Sequence, residues 1–262
     1  MKPNLLMAII LPLFPAYLQN TISSFAISDL AKNEKLLMNN ENPYPEIGAI
    51  PLPEGYTRIQ TEKKSFGEWL RNVPLKKSKT VYLYDGSIKK DQSAQYAVLN
   101  IAVGNKDLQQ CADAVMRLRA EYLFTQKRFD EISFRDNNNR DYSFSLPADK
   151  PHFNKYLEKV FSYCGTISLE KQLHRISRVN NVHIGDVLIQ GGSPGHAMLV
   201  IDMAMNKDKK KIYMLAQGYM PAQDIHIVVN QMAPQLSPWY EMNDETIYTP
   251  GWIFLPAHFR SW

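Results

Sequence analysis

Apolar and polar positions along the chain predict helices in its first part and strands in its second. In "DLQQCADAVMRLRAEYL" (107–123), Leu108, Cys111, Val115, Leu118 and Tyr122 recur at three- and four-residue spacing and form one apolar face. Asp107 with Gln110 three residues on fits a capping box, which places the helix start near Asp107. "SFGEWLRNV" (65–73), "KPHFNKYLEKVFSYCG" (150–165) and "SLEKQLHRI" (168–176) read as three more helices. "TVYLYDG" (80–86) reads as a strand ending in an Asp-Gly turn, and "YAVLNIAVG" (96–104) as a second strand. From "DVLIQGG" (186–192) onward, "HAMLVIDM" (196–203), "KIYMLAQG" (211–218) and "DIHIVV" (224–229) read as successive strands, with "GWIFLPAHF" (251–259) closing the chain. Helices first and an antiparallel sheet later give an α+β expectation.

Composition adds limits. The 262 residues, 45% hydrophobic and 21% charged, suit a globular chain of one large or two small domains. Lys2, an apolar run over residues 5–18 broken by Pro12 and Pro15, and the small Ser24 and Ala26 make residues 1–26 read as a secretory signal peptide. The apolar run is too short and too interrupted to span a membrane, so an exported chain of the periplasm or cell envelope, without an integral membrane segment, is expected. Residues 27–54 are polar and proline-rich and read as an arm or linker, leaving 55–262 as a single domain. The net charge of +4 is spread out. Its densest run, "KDKKK" (207–211), reads as a solvated hairpin tip, and no nucleic-acid partner is expected.

The stretch "GGSPGHAML" (191–199) holds the first candidate chemistry. Ser193 formally matches G-x-S-x-G, but Pro194 lacks the N–H that an oxyanion hole needs, and a strand pattern follows where an elbow requires a helix. Ser193 is therefore not taken as a nucleophile. Cys111 has three readings: a core cysteine on the apolar helix face, a disulfide partner of Cys164, or a thiolate nucleophile. A position in the first helical turn would lower its thiol pKa through the helix dipole. His196 opens a strand behind a glycine-rich turn, where its ring can reach a sheet end. A thiol nucleophile needs such a base, and a base needs a polar group to orient it.

If 196–205 and 210–217 form a hairpin with Met205 opposite Lys210, Met198 faces Gln217. Gln217 is then a same-face diagonal neighbour of His196. Asp202 lies six residues from His196, roughly 20 Å along a strand, and is too far to orient it. His152, His174, His183, His226 and His258 show no metal spacing, although "DIHI" puts Asp224 and His226 on one strand face. Neither a phosphate-cradling glycine loop nor a metal motif is legible, so no cofactor is expected. "SPWY" (237–240) can line a groove or simply pack a loop.

Two resemblances follow from these residues. "QCADAVMRLRAEYL" (110–123) and "GDVLIQGGSPGHAMLVIDM" (185–203) resemble the cysteine-helix and Gly-His-strand motifs of the CHAP amidohydrolases/peptidases, in the chain order also found in NlpC-type and papain-like peptidases. The resemblance implies a papain-like fold and a hydrolase acting on a cell-wall peptide or other amide. Cys111 would attack, His196 would act as base and then acid, and Gln217 would orient the imidazole. The Cys111 backbone N–H, with Gln110, would stabilise the oxyanion. Gln217 stands where those families usually carry Glu or Asn. The alternative is a non-catalytic binding or structural protein of the cell envelope with the same fold, in its structural form with Cys111 and Cys164 bridged. "YLYDGSIKKDQSAQYAVLNIAVGNKDLQQCADAVMRLRAEYLF" and "LAQGYMPAQDIHIVVN" resemble a second, exported bacterial family, the domain of unknown function 4846, which carries no implied activity.

Overall fold

The computed structural model describes residues 40–262, so the expected leader (1–26) and the first part of the expected arm (27–39) lie outside the described residues. In chain order the regular elements are β1 (Tyr56–Arg58), α1 (Phe66–Arg71), β2 (Gln95–Val98), α2 (Cys111–Thr125), β3 (Ser133–Arg135), β4 (Asp141–Ser143), α3 (Lys150–Tyr163), α4 (Thr166–Gln172), β5 (His174–Arg175), β6 (Val187–Gln190), β7 (His196–Asn206), β8 (Lys211–Gln217), β9 (His226–Val228), β10 (Trp239–Glu241), β11 (Ile247–Thr249), β12 (Trp252–Phe254) and β13 (Phe259–Ser261). The architecture is α+β. A nine-stranded sheet runs β2-β9-β8-β7-β6-β13-β5, with β1 added against β7 and β10 against β8. Its pairings are antiparallel. Two small hairpins, β3-β4 and β11-β12, stand apart from it.

β7 is the spine, because its residues alternate between two apolar layers. Ala197, Leu199 and Ile201 pack with Ala112, Val115 and Leu118 of α2. Met198 and Val200 pack on the other face with Leu188, Leu215, Phe254 and Phe259. Such burial on both faces explains why "HAMLVIDM" reads as an almost continuous apolar run. The one charge in that run, Asp202, is fully buried and held by Arg58 Nε and Arg71 Nε at 2.7 Å each. Asp202 thus ties β1 and α1 to the sheet and takes no part at the far end of β7.

Several local expectations differ from the structure, and residues 174–175, read as the end of a helix, form β5. Residues 42–54, read as arm, belong to the unit Asn42–Trp262. There Ile47 and Ile50 reach zero exposure, and Ile47 N bonds Val73 O. A proline-rich composition masked two core anchors. "TVYLYDG" forms only isolated bridges, Tyr82 to Ile88 and Leu83 to Gln223. The closing segment splits at a short 3-10 turn, Pro256–His258, into β12, which stays in its own hairpin, and β13, which joins the main sheet.

Candidate active site

α2 begins at Cys111, not near Asp107 as the capping pattern predicted. Asp107 Oδ1 instead accepts from Ala222 N (2.7 Å) and Gln110 Nε2 (3.1 Å). The capping carboxylate is Asp113, whose Oδ2 accepts the Gln110 N–H at 3.0 Å. Cys111 is therefore the first helical residue, with the free N–H groups of the helix start around its side chain.

Gly218 makes this placement possible. A Cβ there would come within 2.7 Å of Gln110 O and 3.1 Å of the Ala114 Cβ, so only glycine lets the helix start press against the end of β8. At the turn before β7, a Cβ on Gly195 would meet Thr166 Oγ1 at 2.5 Å and Gly192 O at 2.7 Å. The glycines of "GGSPG" are thus needed for close approach, and Ser193 is exposed on the turn.

The thiol of Cys111 lies against the backbone on both sides of His196. Sγ is 4.0 Å from Gly195 O, and the Ala197 N–H directs a hydrogen bond at the sulfur. Val200 exchanges both its backbone bonds with Gly185 and Asp186 on the β6 side. By alternation, Gly195 C=O and Ala197 N–H point to the β8 side. The β7-β8 ladder ends at the Leu199–Ala216 pair, two residues short of Ala197.

His196 projects from the other face of β7, toward the layer that holds Phe254. Its Nε2 lies 2.7 Å from Gln217 Oε1, and its ring contacts Tyr219 (centroids 5.1 Å), Trp252 (5.4 Å) and Phe254 (5.9 Å). Gln217 and Tyr219 both belong to the end of β8 and its continuation, so the ring is held at that end of the strand. Gln217 Nε2 in turn lies 3.2 Å from His226 Nε2, and His226 Nδ1 lies 3.0 Å from Asp224 O. In this resting arrangement the thiol points to Gly195 O and not to the imidazole.

Burial dominates the electrostatics. It pushes the Cys111 thiol up, with a further push from the Asp113 carboxylate, against the N–H groups of Ala112, Ala197 and Cys111 itself. The lowering expected from the helix dipole is outweighed because Cys111 is only 6% exposed. Burial also pushes His196 down to about 4, opposed by its bond to Gln217, and His226 down to about 4. The resting pair is therefore a neutral thiol and a neutral imidazole at neutral pH.

A cleft of about 330 Å³ opens on the thiol side, lined by Cys111, Asp113, Phe161, Cys164, Thr166 and Met220 among others. Gln110 also lines it, and His196 does not. Both cysteines are free thiols. The structure thus brings Cys111 and Gln110 to the cleft, and His196 and Gln217 together under the aromatic cover. The strand backbone at 195–197 links the two groups. Sequence reasoning passed over His226 and the cover formed by Tyr219, Trp252 and Phe254. The "DIHI" pattern was visible, but its link to Gln217 needs the β8-β9 pairing, in which Gln217 faces His226. Among the described residues no cluster of three metal-ligating side chains occurs, and no helix is long and apolar enough to cross a membrane.

Comparison with known proteins places the chain in a family. The family described as "Domain of unknown function (4846)" matches residues 48–149 and 145–261, and the chain belongs to it. No curated protein and no solved structure matches the chain.

Proposed function

We propose that the chain is an exported, papain-like cysteine amidohydrolase or peptidase of the cell envelope, with Cys111 as nucleophile and His196 as base. The observation that supports this most is the backbone link between the two groups: the thiol lies against Gly195 and Ala197, the residues flanking His196, while Gln217 engages only the Nε2 side of the ring. Nδ1 is left for the thiol. Because both groups rest neutral, the S–H first turns from Gly195 O to His196 Nδ1, and Nδ1 takes the proton as Sγ attacks the amide carbonyl carbon. The oxyanion is stabilised by the Cys111 backbone N–H and the Gln110 amide group. As the C–N bond breaks, His196 returns the proton to the leaving amine. Water, deprotonated by His196, then cleaves the thioester, releasing the acid and restoring the thiol. The substrate class, a cell-wall peptide amide, rests on the motif resemblance, and export rests on residues 1–26.

A second reading, a non-catalytic binding protein of the envelope, is favoured by the raised thiol and by the 2% exposure of His196. Incubation with peptidoglycan-derived peptides separates the two. Release of new amines by the wild type and not by Cys111→Ala supports the hydrolase. Binding of the peptides without cleavage by either protein supports the second reading.

A further inference from the structure

We infer that His226 is a positioning residue that fixes the tautomer of His196 through the side-chain amide of Gln217. The inference rests on the hydrolase reading for its consequence, but its geometry stands alone. Asp224 O can only accept a hydrogen bond, so the 3.0 Å contact from His226 Nδ1 requires a hydrogen on Nδ1. His226 is neutral in its fully buried site, so its Nε2 carries a lone pair. The Gln217 group 3.2 Å away must then be the donor, which is the amide nitrogen. That choice turns Oε1 toward His196 Nε2 at 2.7 Å, and this nitrogen must carry the hydrogen. Nδ1 of His196 is left as the basic nitrogen. Every polarity along the chain Asp224–His226–Gln217–His196 follows from one backbone carbonyl.

The alternative polarity shows what His226 supplies. An amide is pseudo-symmetric, so Gln217 alone could equally donate to His196 Nε2. His196 would then hold its hydrogen on Nδ1, where no thiol proton can be accepted. Gln217 is 1% exposed, so water has little access to arbitrate. His226 removes the ambiguity from the side opposite the reaction, without touching a substrate.

The test is long-range proton–nitrogen correlation NMR on the full chain with labelled histidine, alongside acylation of Cys111 by p-nitrophenyl acetate. In the wild type, His226 is expected as the Nδ1–H tautomer and His196 as Nε2–H. In His226→Phe, His196 shifts toward Nδ1–H and acylation slows about ten- to hundredfold, the range typical of lost orienting partners. In His226→Gln, whose carbonyl can accept from Gln217, both return toward wild type. A wild-type His196 in the Nδ1–H form overturns the inference, even if His226→Phe fails to fold. So does a His196 that stays Nε2–H in folded His226→Phe. A tautomer shift without any change in acylation supports the inference and removes the hydrolase reading.

Discussion

Gln217 Oε1 lies 2.7 Å from His196 Nε2 across the β7-β8 ladder, with both side chains almost fully enclosed. The amide holds the imidazole by one nitrogen and so decides which nitrogen is left free. Replacing Gln217 with Ala removes that hold and leaves His196 Nε2–H and His226 Nε2 without partners. A destabilisation of about 1–3 kcal/mol is expected from the unpaired buried groups, measured by urea unfolding. Acylation of Cys111 should fall with it, whereas Gln217→Asn, with a shorter reach, should fall between Ala and wild type.

The thiol should titrate high. Burial and the Asp113 carboxylate raise it, so iodoacetamide labelling of Cys111, read by intact mass, is expected to climb steadily through neutral into alkaline pH. A plateau below neutral pH would mean a preformed thiolate–imidazolium pair, contrary to the neutral pair inferred above. Asp113→Asn removes the carboxylate's push and should move the curve to lower pH.

Gly218→Ala tests the seating of the helix start. The added methyl would meet Gln110 O at 2.7 Å, so α2 must back away from the end of β8. A cost of about 1–3 kcal/mol is expected for such overpacking, again by urea unfolding, together with slower Cys111 acylation. Unchanged acylation in this variant would mean that the position of Cys111 against Gly195 and Ala197 has no chemical consequence.

The aromatic cover should set the His196 titration. Burial is the leading cause of its low value, and Trp252 and Phe254 supply part of that burial. In Trp252→Ala the His196 resonance should titrate upward from about 4 toward the ordinary value of about 6.5. No movement would assign the burial to the other neighbours.

His226 should link stability to pH. Its folded value of about 4 lies below the unfolded value near 6.5, so the unfolded chain binds more protons between them. Stability therefore falls as pH drops through that window. Asp113 and Asp186 act in the opposite sense, because burial raises their carboxyls, Asp186 to about 7, and that contribution is lost as pH rises. Comparing wild type with His226→Gln isolates the histidine. The urea midpoint of the wild type should fall relative to the variant from about pH 6.5 to pH 4, and a constant difference would mean that His226 is not held neutral.

Much of this site was legible in the chain, for a reason visible in the register. The predicted hairpin set Met205 opposite Lys210, whereas the structure pairs Met205 with Lys211. A bulge between Val200 and Asp202 then absorbs one residue, so that Leu199 pairs with Ala216, the register expected at the far end. Gln217 reached His196 because two one-residue offsets cancel. Alternation alone cannot reveal a bulge inside a run that is apolar on both faces. His226 and Trp252 escaped for a different reason: β9 returns to β8 only after an irregular connection, and the β11-β12 hairpin brings Trp252 onto His196 from far along the chain. No local periodicity announces such contacts. The start of α2 was misplaced because Asp107 looks like a cap in sequence, while in space its carboxylate is drawn away by the Ala222 N–H.

The most direct test is the acylation of Cys111 by p-nitrophenyl acetate at neutral pH, followed by the burst of p-nitrophenol and by intact mass, in the wild type and in His196→Ala. The expected result is a wild-type burst with the acyl group on Cys111 and not Cys164, slowed at least about tenfold in His196→Ala through loss of the general base. Equal rates in the two folded proteins, or no acylation of Cys111 in the wild type, would contradict a Cys111–His196 hydrolase.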